Sequence, residues 1–439
     1  MKIKGKIIGI SLLIISLTSQ GMNISLDEAI KKATENNFEI KIVKKDIENI
    51  GLQKKQAYKS ALPKVDYAGS YAKMQDKIFN TNSNSDNLYQ HSINLTQPIY
   101  NGGTMWAAIK IAGISEKLTA YNLVSKKEQI EIQVIESYVG IIKLEKQFEI
   151  LKNSLKEIEE NYKKIKEFYE LGMITKTSLL EMEYSKIELE SNLIAVENNI
   201  LISKLSLKND LGLSEDEPIE LEDLNLEKIK ENEIELEKDV KEAMNNNVNI
   251  KLLDINMDIQ KESEKIARSN LMPKINMKFT YSSPDAATEK AFALTDSIKL
   301  DDWKWGVGIS FNMSLWDWGS NSDGVGIAKN NTKKLEYSKE QAKDGIELGV
   351  RSMYYEMERL TKLLEAKERG VLSAKENYTM EKEKLEEKIT TTTDFLAAEN
   401  RLRKSEIDIL ETKMDYFIVK EKYINMLGKK EAEEENKKK

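Results

Sequence analysis

The feature that most constrains this chain is a repeat with a fixed shift. Ala33 and Asn36-Asn37 recur as Ala243 and Asn246-Asn247, 210 residues on, and Leu62-Pro63 recurs as Met272-Pro273 at the same distance. Farther along, Tyr100 pairs with Trp316, Gly103 with Gly319, Tyr138 with Tyr354, Leu180 with Leu396 and Gly212 with Gly428, each 216 residues on. The extra residues fall in a longer second loop, about Ser282 to Asp302. A shift held over so many landmarks marks a tandem duplication, so one supersecondary plan must be built twice.

The first half shows the plan. Residues 22–213 form the first repeat. Ser25 can cap a helix, with Glu28 three residues on completing a capping box. Asn36-Asn37 bends the chain, and a second helical segment runs from about Phe38 to Ser60 until Leu62-Pro63 stops it. Val65, Tyr67, Gly69 and Tyr71 alternate in a strand from Lys64 to Lys73. A polar loop, Asn80 to Asn87, leads to a return strand from His91 to Tyr100, so 64–100 reads as a β-hairpin. Asn101-Gly102-Gly103 opens a long helix, 104–170. Within it Phe148, Leu151, Leu155, Ile158, Tyr162, Ile165 and Tyr169 step alternately by three and four, a coiled-coil pattern. Its length is roughly 100 Å at ~1.5 Å per residue. Leu171-Gly172-Met173-Ile174-Thr175 turns the chain into a return helix, 176–211. The helix before the strands and the return helix together match the long helix in length, which suits end-to-end stacking beside it.

An acidic segment, 214–236, with Pro218, reads as a linker or small side element. The second repeat, 237–428, follows with a hairpin at 274–315 and long helices over 319–428. A Lys- and Glu-rich tail, 429–439, has the composition of disorder.

The second hairpin carries the cleanest strand. In Trp305 to Leu315, Trp305, Val307, Ile309, Phe311, Met313 and Leu315 share one parity, and Gly306, Gly308, Ser310, Asn312 and Ser314 the other. Ile275, Met277, Phe279 and Tyr281 alternate likewise with Asn276, Lys278 and Thr280. One apolar face and one small, polar face fit a strand between lipid and a wet lumen; an ordinary sheet wet on one face is the alternative. Tyr281, Trp303, Trp305, Trp316 and Trp318 sit where interfacial aromatics belong.

The N-terminus supplies an address. Lys2, Lys4 and Lys6 precede an apolar run from Ile7 to Leu17 and small polar residues, so 1–21 reads as a secretory signal peptide cleaved between Thr18 and Met22. No later stretch is long and apolar enough for a transmembrane helix, so a membrane contact of the mature chain must use strands. Lys and Glu are interleaved, with a net charge of −7, and no basic stripe suggests nucleic acid. With no Cys and one His, His91, beside a strand, neither a disulfide framework nor a histidine metal cluster is available. No cofactor is expected.

Four strands cannot close a barrel, and an open edge is not tolerated in lipid. Three copies would supply twelve strands, within the range of outer-membrane barrels.

The chain resembles TolC-type outer-membrane efflux proteins over its mature length. The resemblance rests on Ser25–Ile30 with Asn36-Asn37, Leu62-Pro63, the run Gln97-Pro98-Ile99-Tyr100-Asn101-Gly102-Gly103, Leu171–Thr175 and Leu211-Gly212, in this order inside a duplicated frame. It implies a mainly α protomer with a small membrane β part. Three such protomers form a homotrimer: a twelve-stranded outer-membrane β-barrel, embedded in lipid, continued by a long periplasmic α-helical barrel. Its partners would be a periplasmic adaptor protein and an inner-membrane transporter, and export through it would be passive.

The resemblance also assigns site residues. Asp394 falls at an acidic ring of the pore constriction. A second acidic position is Ala397 here, and Glu181, the repeat counterpart of Ala397, could supply the missing charge. A solvated helix face is the alternative for both. The latch positions depart from the family: Ser178 stands for an expected Asp and Thr390 for an expected Arg, while Thr177 matches. The adaptor would dock at the tip turns, Leu171, Gly172, Met173, Ile174 and Thr175 in one repeat and Lys388, Ile389 and Thr390 in the other.

No catalytic constellation stands out: there is no Walker loop and no G-x-S-x-G, and the carboxylates lie in Lys/Glu-rich helices. The expected function is an outer-membrane channel, the exit duct of a tripartite efflux or type I secretion system. The alternative of another class is an exported trimeric coiled-coil surface or adhesive protein that does not conduct.

Overall fold

A computed structural model of the chain describes residues 22–73, 87–224, 234–282 and 304–428. Residues 1–21, where a signal peptide is expected, most of the loop at 80–87, part of the acidic segment, the long second loop with Trp303, and residues 429–439 lie outside the described residues.

The elements come in matched pairs. After β1 (Met22–Ile24), α1 (Leu26–Asn36) and α2 (Phe38–Lys59) are followed by β2 (Lys64–Lys73), β3 (Asn87–Asn101), α3 (Thr104–Glu170) and α4 (Lys176–Leu211). After β4 (Ile219–Leu221) come α5 (Leu236–Asn246), α6 (Val248–Ser269), β5 (Lys274–Ser282), β6 (Lys304–Asn312), α7 (Ser320–Glu386) and α8 (Thr392–Met426). The helices α3 and α7 are each 67 residues long and begin 216 residues apart. The family of shifts seen in the sequence is thus a shift between whole elements.

Two strands differ from the expected bounds. β3 starts four residues before His91. β6 stops at Asn312, short of Leu315, because its last paired residue sits opposite Lys274, the first residue of β5. Met313 to Leu315 therefore have no strand beside them among the described residues.

Local chemistry sets the element ends. Ser25 caps α1 by accepting from the Glu28 amide, and Glu28 returns the contact to the Ser25 amide. Asn101 accepts from the Met105 amide at the start of α3, and Asp317, its repeat counterpart, accepts from the Gly319 and Asn321 amides before α7. Both place a side-chain oxygen on otherwise orphan helix donors.

The described residues divide into two compact units, those within 22–38, 127–234 and 353–423, and those within 39–126, 235–352 and 424–428. The first unit is helical apart from β1 and β4, which pair in parallel. Its core is a heptad seam. Leu151, Ile158 and Ile165 of α3 are buried with Met182, Leu189 and Val196 of α4, and with Tyr378, Leu385, Phe395, Leu396 and Ala398. Each buried set on α3 and α4 steps by seven, as knobs-into-holes packing requires, and each such side chain adds about 1.5–3 kcal/mol by leaving water. Tyr138 is fully buried, and its hydroxyl donates to the carbonyls of Ile24 and Glu222, tying α3 to the chain beside β1 and β4. Burial pushes that hydroxyl up to about 12. At the end of α4, the Asn37 amide donates to the Asp210 carbonyl at 2.9 Å. Gly212 there sits so close to Asn36 that a Cβ would stand 2.8 Å from its carbonyl oxygen.

The second unit contains the four-stranded sheet, in the order β2-β3-β5-β6, antiparallel throughout. The two hairpins meet through β3 and β5. A bulge between Pro98 and Tyr100 lets the proline, which has no N–H to give, sit inside β3.

Candidate functional site: a two-faced sheet and a helical tip

The sheet's register aligns the apolar parity across all four strands. Val65 lies opposite Leu95, Leu95 opposite Phe279, and Phe279 opposite Val307. The next row is Tyr67, Ile93, Tyr281 and Trp305. Two sequence-predicted aromatics, Tyr281 and Trp305, are thus direct cross-strand partners. On the other face the rows read Asp66, Asn94, Thr280, Gly306 and Lys64, Thr96, Lys278, Gly308. Thr280 donates to Asn94 at 3.1 Å on that face.

Val65, Tyr67 and Tyr71 of β2 and Trp305, Val307, Ile309 and Phe311 of β6 are all exposed. One sheet surface is therefore a continuous apolar band, and the opposite one is small and polar. That is the arrangement of a strand set with lipid on one side and water on the other. Both edges, β2 and β6, carry backbone groups that no strand among the described residues pairs. His91 stays an ordinary strand residue, with its Nδ1 2.7 Å from the Tyr67 hydroxyl. Trp316 and Trp318 follow β6, exposed, with their rings edge to face at 5.7 Å. Trp303 lies outside the described residues. No described helix is long and apolar enough to cross a membrane, and the described residues contain no acid, His or Cys group arranged to hold a metal ion.

The helical tip lies in the first unit. After α3, the Gly172 amide donates to the Tyr169 carbonyl and the Met173 amide to the Phe168 carbonyl. This is the Schellman pairing, with Gly172 left-handed at φ 71. After α7 the same pair of bonds runs from Lys388 to Leu385 and from Ile389 to Lys384. Leu171, Met173 and Ile389 are exposed, whereas Ile174 packs on the heptad core. Thr175 caps α4 by accepting from the Ser178 amide. Thr390 donates to Glu381 at 2.7 Å.

Of the two acidic candidates, Asp394 is exposed in the first turn of α8. The Thr391 hydroxyl donates to its carboxylate at 2.6 Å and accepts from its amide at 3.1 Å. The next residue back, Thr393, donates to Glu181 at 3.0 Å. The Thr393–Glu181 bond thereby brings the starts of α4 and α8 together.

One cluster was not expected from the sequence. Glu399 on α8 is only 4% exposed. Its carboxylate accepts from Ser154 of α3 and lies 3.8 Å from Arg403. Glu157 beside them accepts from Tyr378 and lies 3.8 Å from Lys382. Glu399 Oε2 and Arg403 Nη1 are both buried without a hydrogen bond among the described residues. Burial, helped by Glu157 and Glu406 and opposed by Arg403, lifts the Glu399 carboxyl to about 7. Burial also raises Glu406. The signal in the sequence is a Glu four residues after Phe395, inside the apolar stripe of α8.

The family model "outer membrane efflux protein" matches residues 29–213 and again 240–428, once per repeat. No curated protein sequence matches the chain. Among solved structures, the CmeC outer membrane channel of Campylobacter jejuni is 17% identical with a TM-score of 0.77, over 92% of this chain and 85% of that one. The outer membrane protein VceC of Vibrio cholerae is 14% identical with a TM-score of 0.74, over 92% and 96%. The MtrE outer membrane channel of Neisseria gonorrhoeae is 15% identical with a TM-score of 0.73, over 92% and 88%. At these identities the structures speak for the fold: a mainly helical, tandem-duplicated protomer with a small strand part. The reading as a non-conducting surface protein finds no support in them. The chain belongs to the outer membrane efflux protein family, and it is an efflux channel protein of the outer membrane.

Proposed function

We propose that three copies of this chain form the exit duct of a tripartite efflux or secretion system. Their twelve strands make a closed barrel in the outer membrane, and their helices make a periplasmic conduit. The chain carries no energy-coupling motif, so transport through the duct is passive, driven by an inner-membrane transporter through a periplasmic adaptor. The observation that carries this reading is the sheet: its apolar parity is continuous over four strands while both edges stay open. Twelve strands from three chains remove those edges, as lipid requires.

In this reading Asp394 and Glu181 line the narrow end of the conduit. Three copies of each carboxylate around a constriction attract cations and repel one another when water is excluded. The tip turns, Leu171–Thr175 and Lys388–Thr390, form the adaptor-docking surface. Trp305, Tyr281, Trp316 and Trp318 mark the membrane interfaces, as Trp303 would.

The test is planar-bilayer conductance of the detergent-purified protein, with its mass measured in the same sample. A trimer with discrete conductance steps is expected, and Asp394→Asn should lower its cation selectivity. A soluble monomer would sink the barrel. A conducting trimer with unchanged selectivity in Asp394→Asn would take that residue out of the pore.

A further inference from the structure

In the second unit, the start of α3 and the end of α6 form the walls of an open cavity of about 300 Å³. The two helices meet through the Thr104 and Ser269 hydroxyls, 2.5 Å apart, and Gly102 packs against Ser269 because it has no Cβ. Beside that contact, Trp106 and Lys110 of α3 line the cavity with Glu262, Lys265 and Arg268 of α6.

The cavity sits at the foot of the sheet. The last apolar row there is Tyr100, Ile275 and Phe311. Gly102 and Met272, both in the cavity wall, stand two and three residues from that row. At that depth a membrane strand passes from hydrocarbon to headgroups, where Trp side chains gather. Trp106 is 64% exposed there. It is the only one of the five tryptophans outside the stretch around β6.

The wall carries charges of both signs, incompletely paired. Glu262 is 9% exposed, and Lys265 donates to its Oε1 at 2.6 Å. Its Oε2 is buried without a hydrogen-bond partner among the described residues. Lys110 stays 4.0 Å from Oε1, too far for a hydrogen bond. Arg268 gives its Nε and Nη2 to Glu264, at 3.2 and 2.5 Å. A buried acceptor without a donor is costly, so the site calls for a donor. The three cations around it call for an anion. An ammonium joined to a phosphate through a short linker supplies both.

The fold does not require this set. Under the repeat shifts Trp106 becomes Ser322, Lys110 becomes Gly326, Glu262 becomes Leu52 and Arg268 becomes Tyr58. Only Lys265 keeps its type, as Lys55. A duplicated architecture that needed these charges for packing would carry them twice.

We propose that the cavity binds the headgroup of a phosphatidylethanolamine from the periplasmic leaflet of the outer membrane. The ammonium donates to Glu262 Oε2, and Lys110 and Arg268 donate to the phosphate. The Trp106 indole lies at the glycerol level, and the acyl chains run outside, along the apolar face that ends at Tyr100 and Ile275. About 300 Å³ is the low end of ligand pockets and holds a headgroup, not a whole lipid. This rests on the outer-membrane reading above and gives it a lipid class.

The test is calorimetric titration of the full chain, exchanged from detergent into amphipol, with dihexanoyl lipids below their micelle concentration. The phosphatidylethanolamine should bind once per chain. The phosphatidylcholine, whose trimethylammonium has no N–H to give, should bind about tenfold more weakly or worse. Glu262→Gln should erase that preference. Lys110→Ala, at an exposed position, should weaken both lipids alike and serves if the Glu262 variant fails to fold. Free phosphoethanolamine binding as tightly as the lipid would assign the site to a soluble phosphate ester and overturn the lipid. Equal binding of the two lipids, unchanged by either variant, would leave a water-filled crevice and overturn the site. A conducting trimer with either result loses this inference and keeps the channel, whereas a soluble monomer loses both.

Discussion

Lys388 takes the place of Gly172. The two residues are 216 positions apart, each sits two residues past the end of a long helix, and both are left-handed, at φ 63 and φ 71. For Gly this conformation is free of steric cost, whereas an L side chain loses roughly 1–2 kcal/mol there. Lys388 has a local return: its ammonium lies 4.4 Å from the Phe168 ring centroid and 3.1 Å from the Met173 sulfur. At an exposed site such a cation–ring contact is worth about 0.5–1 kcal/mol. Lys388→Ala should therefore destabilise, by about that amount, because it keeps the strain and removes the contact. Lys388→Gly should be more stable than Lys388→Ala by about 1 kcal/mol, and Gly172→Ala should lose about as much. Thermal melting of the helical circular dichroism in detergent reads all three. Equal stability of the Gly and Ala variants at 388 would mean that the turn relaxes.

That turn also measures what the sequence discloses. Elements with strong periodicity were legible: the bounds of α3 and α4, the parity of β5, and the duplication all followed from apolar spacing and Gly or Pro landmarks. The left-handed turn at Lys388 was not, because its usual marker, Gly, is absent and the conformation is imposed by the Schellman bonds to Lys384 and Leu385. The end of β6 differs from the alternation, which continues to Leu315, because strand pairing needs a neighbour that the described residues do not supply beyond Asn312. Asp394 was singled out by resemblance; its capping partnership with Thr391 was open to the sequence as a Thr-x-x-Asp spacing. The Glu399 cluster was missed because its members come from α3, α7 and α8, and only packing makes them neighbours.

Glu399 gives the protein a predicted pH dependence. Its carboxyl rises from an ordinary 4.5 to about 7 in the fold. The folded state thus holds that proton more tightly than the unfolded chain does. Stability from this group is full below pH 4.5, falls as the pH rises to about 7, and is then level. At about 1.4 kcal/mol per pKa unit the loss is on the order of 3 kcal/mol. Glu399→Gln, which stays neutral, should flatten most of that fall, leaving the smaller slope from Glu406, which is raised in the same direction. Melting temperatures of both proteins from pH 4.5 to 8 would decide the matter. Parallel curves would mean that the carboxylate is relieved by solvent or by Arg403.

Gly102 and Gly103 are adjacent and both left-handed, at φ 66 and φ 90, yet they should tolerate substitution differently. A Cβ on Gly102 would stand 2.5 Å from the Ser269 carbonyl oxygen and 2.9 Å from the Ser269 Cβ. A Cβ on Gly103 meets nothing within 4 Å. Gly103→Ala carries only the backbone cost, about 1–2 kcal/mol. Gly102→Ala adds an overlap that backbone must absorb, a further cost of roughly 1–3 kcal/mol. The yield of folded, detergent-extracted protein and its melting temperature should rank wild type above Gly103→Ala and Gly103→Ala above Gly102→Ala. The reverse order of the two variants would show that the α3–α6 contact opens without penalty.

The two faces of β6 offer the sharpest test of the membrane assignment. Phe311 and Ser310 are neighbours in sequence, and both are exposed within one protomer. Phe311 lies on the apolar row opposite Ile275, and Ser310 on the polar row opposite Asn276. A cation on the lipid face of a barrel costs about 2–4 kcal/mol near the midplane and little near the interfaces, while a lumen position accepts it. Phe311→Arg should therefore reduce the assembled protein recovered from outer membranes, whereas Ser310→Arg should assemble normally and shift ion selectivity toward anions. Both variants add the same side chain one residue apart, so a general effect of Arg on β6 would lower both alike. Normal recovery of Phe311→Arg would mean that this face does not meet lipid at Phe311's depth.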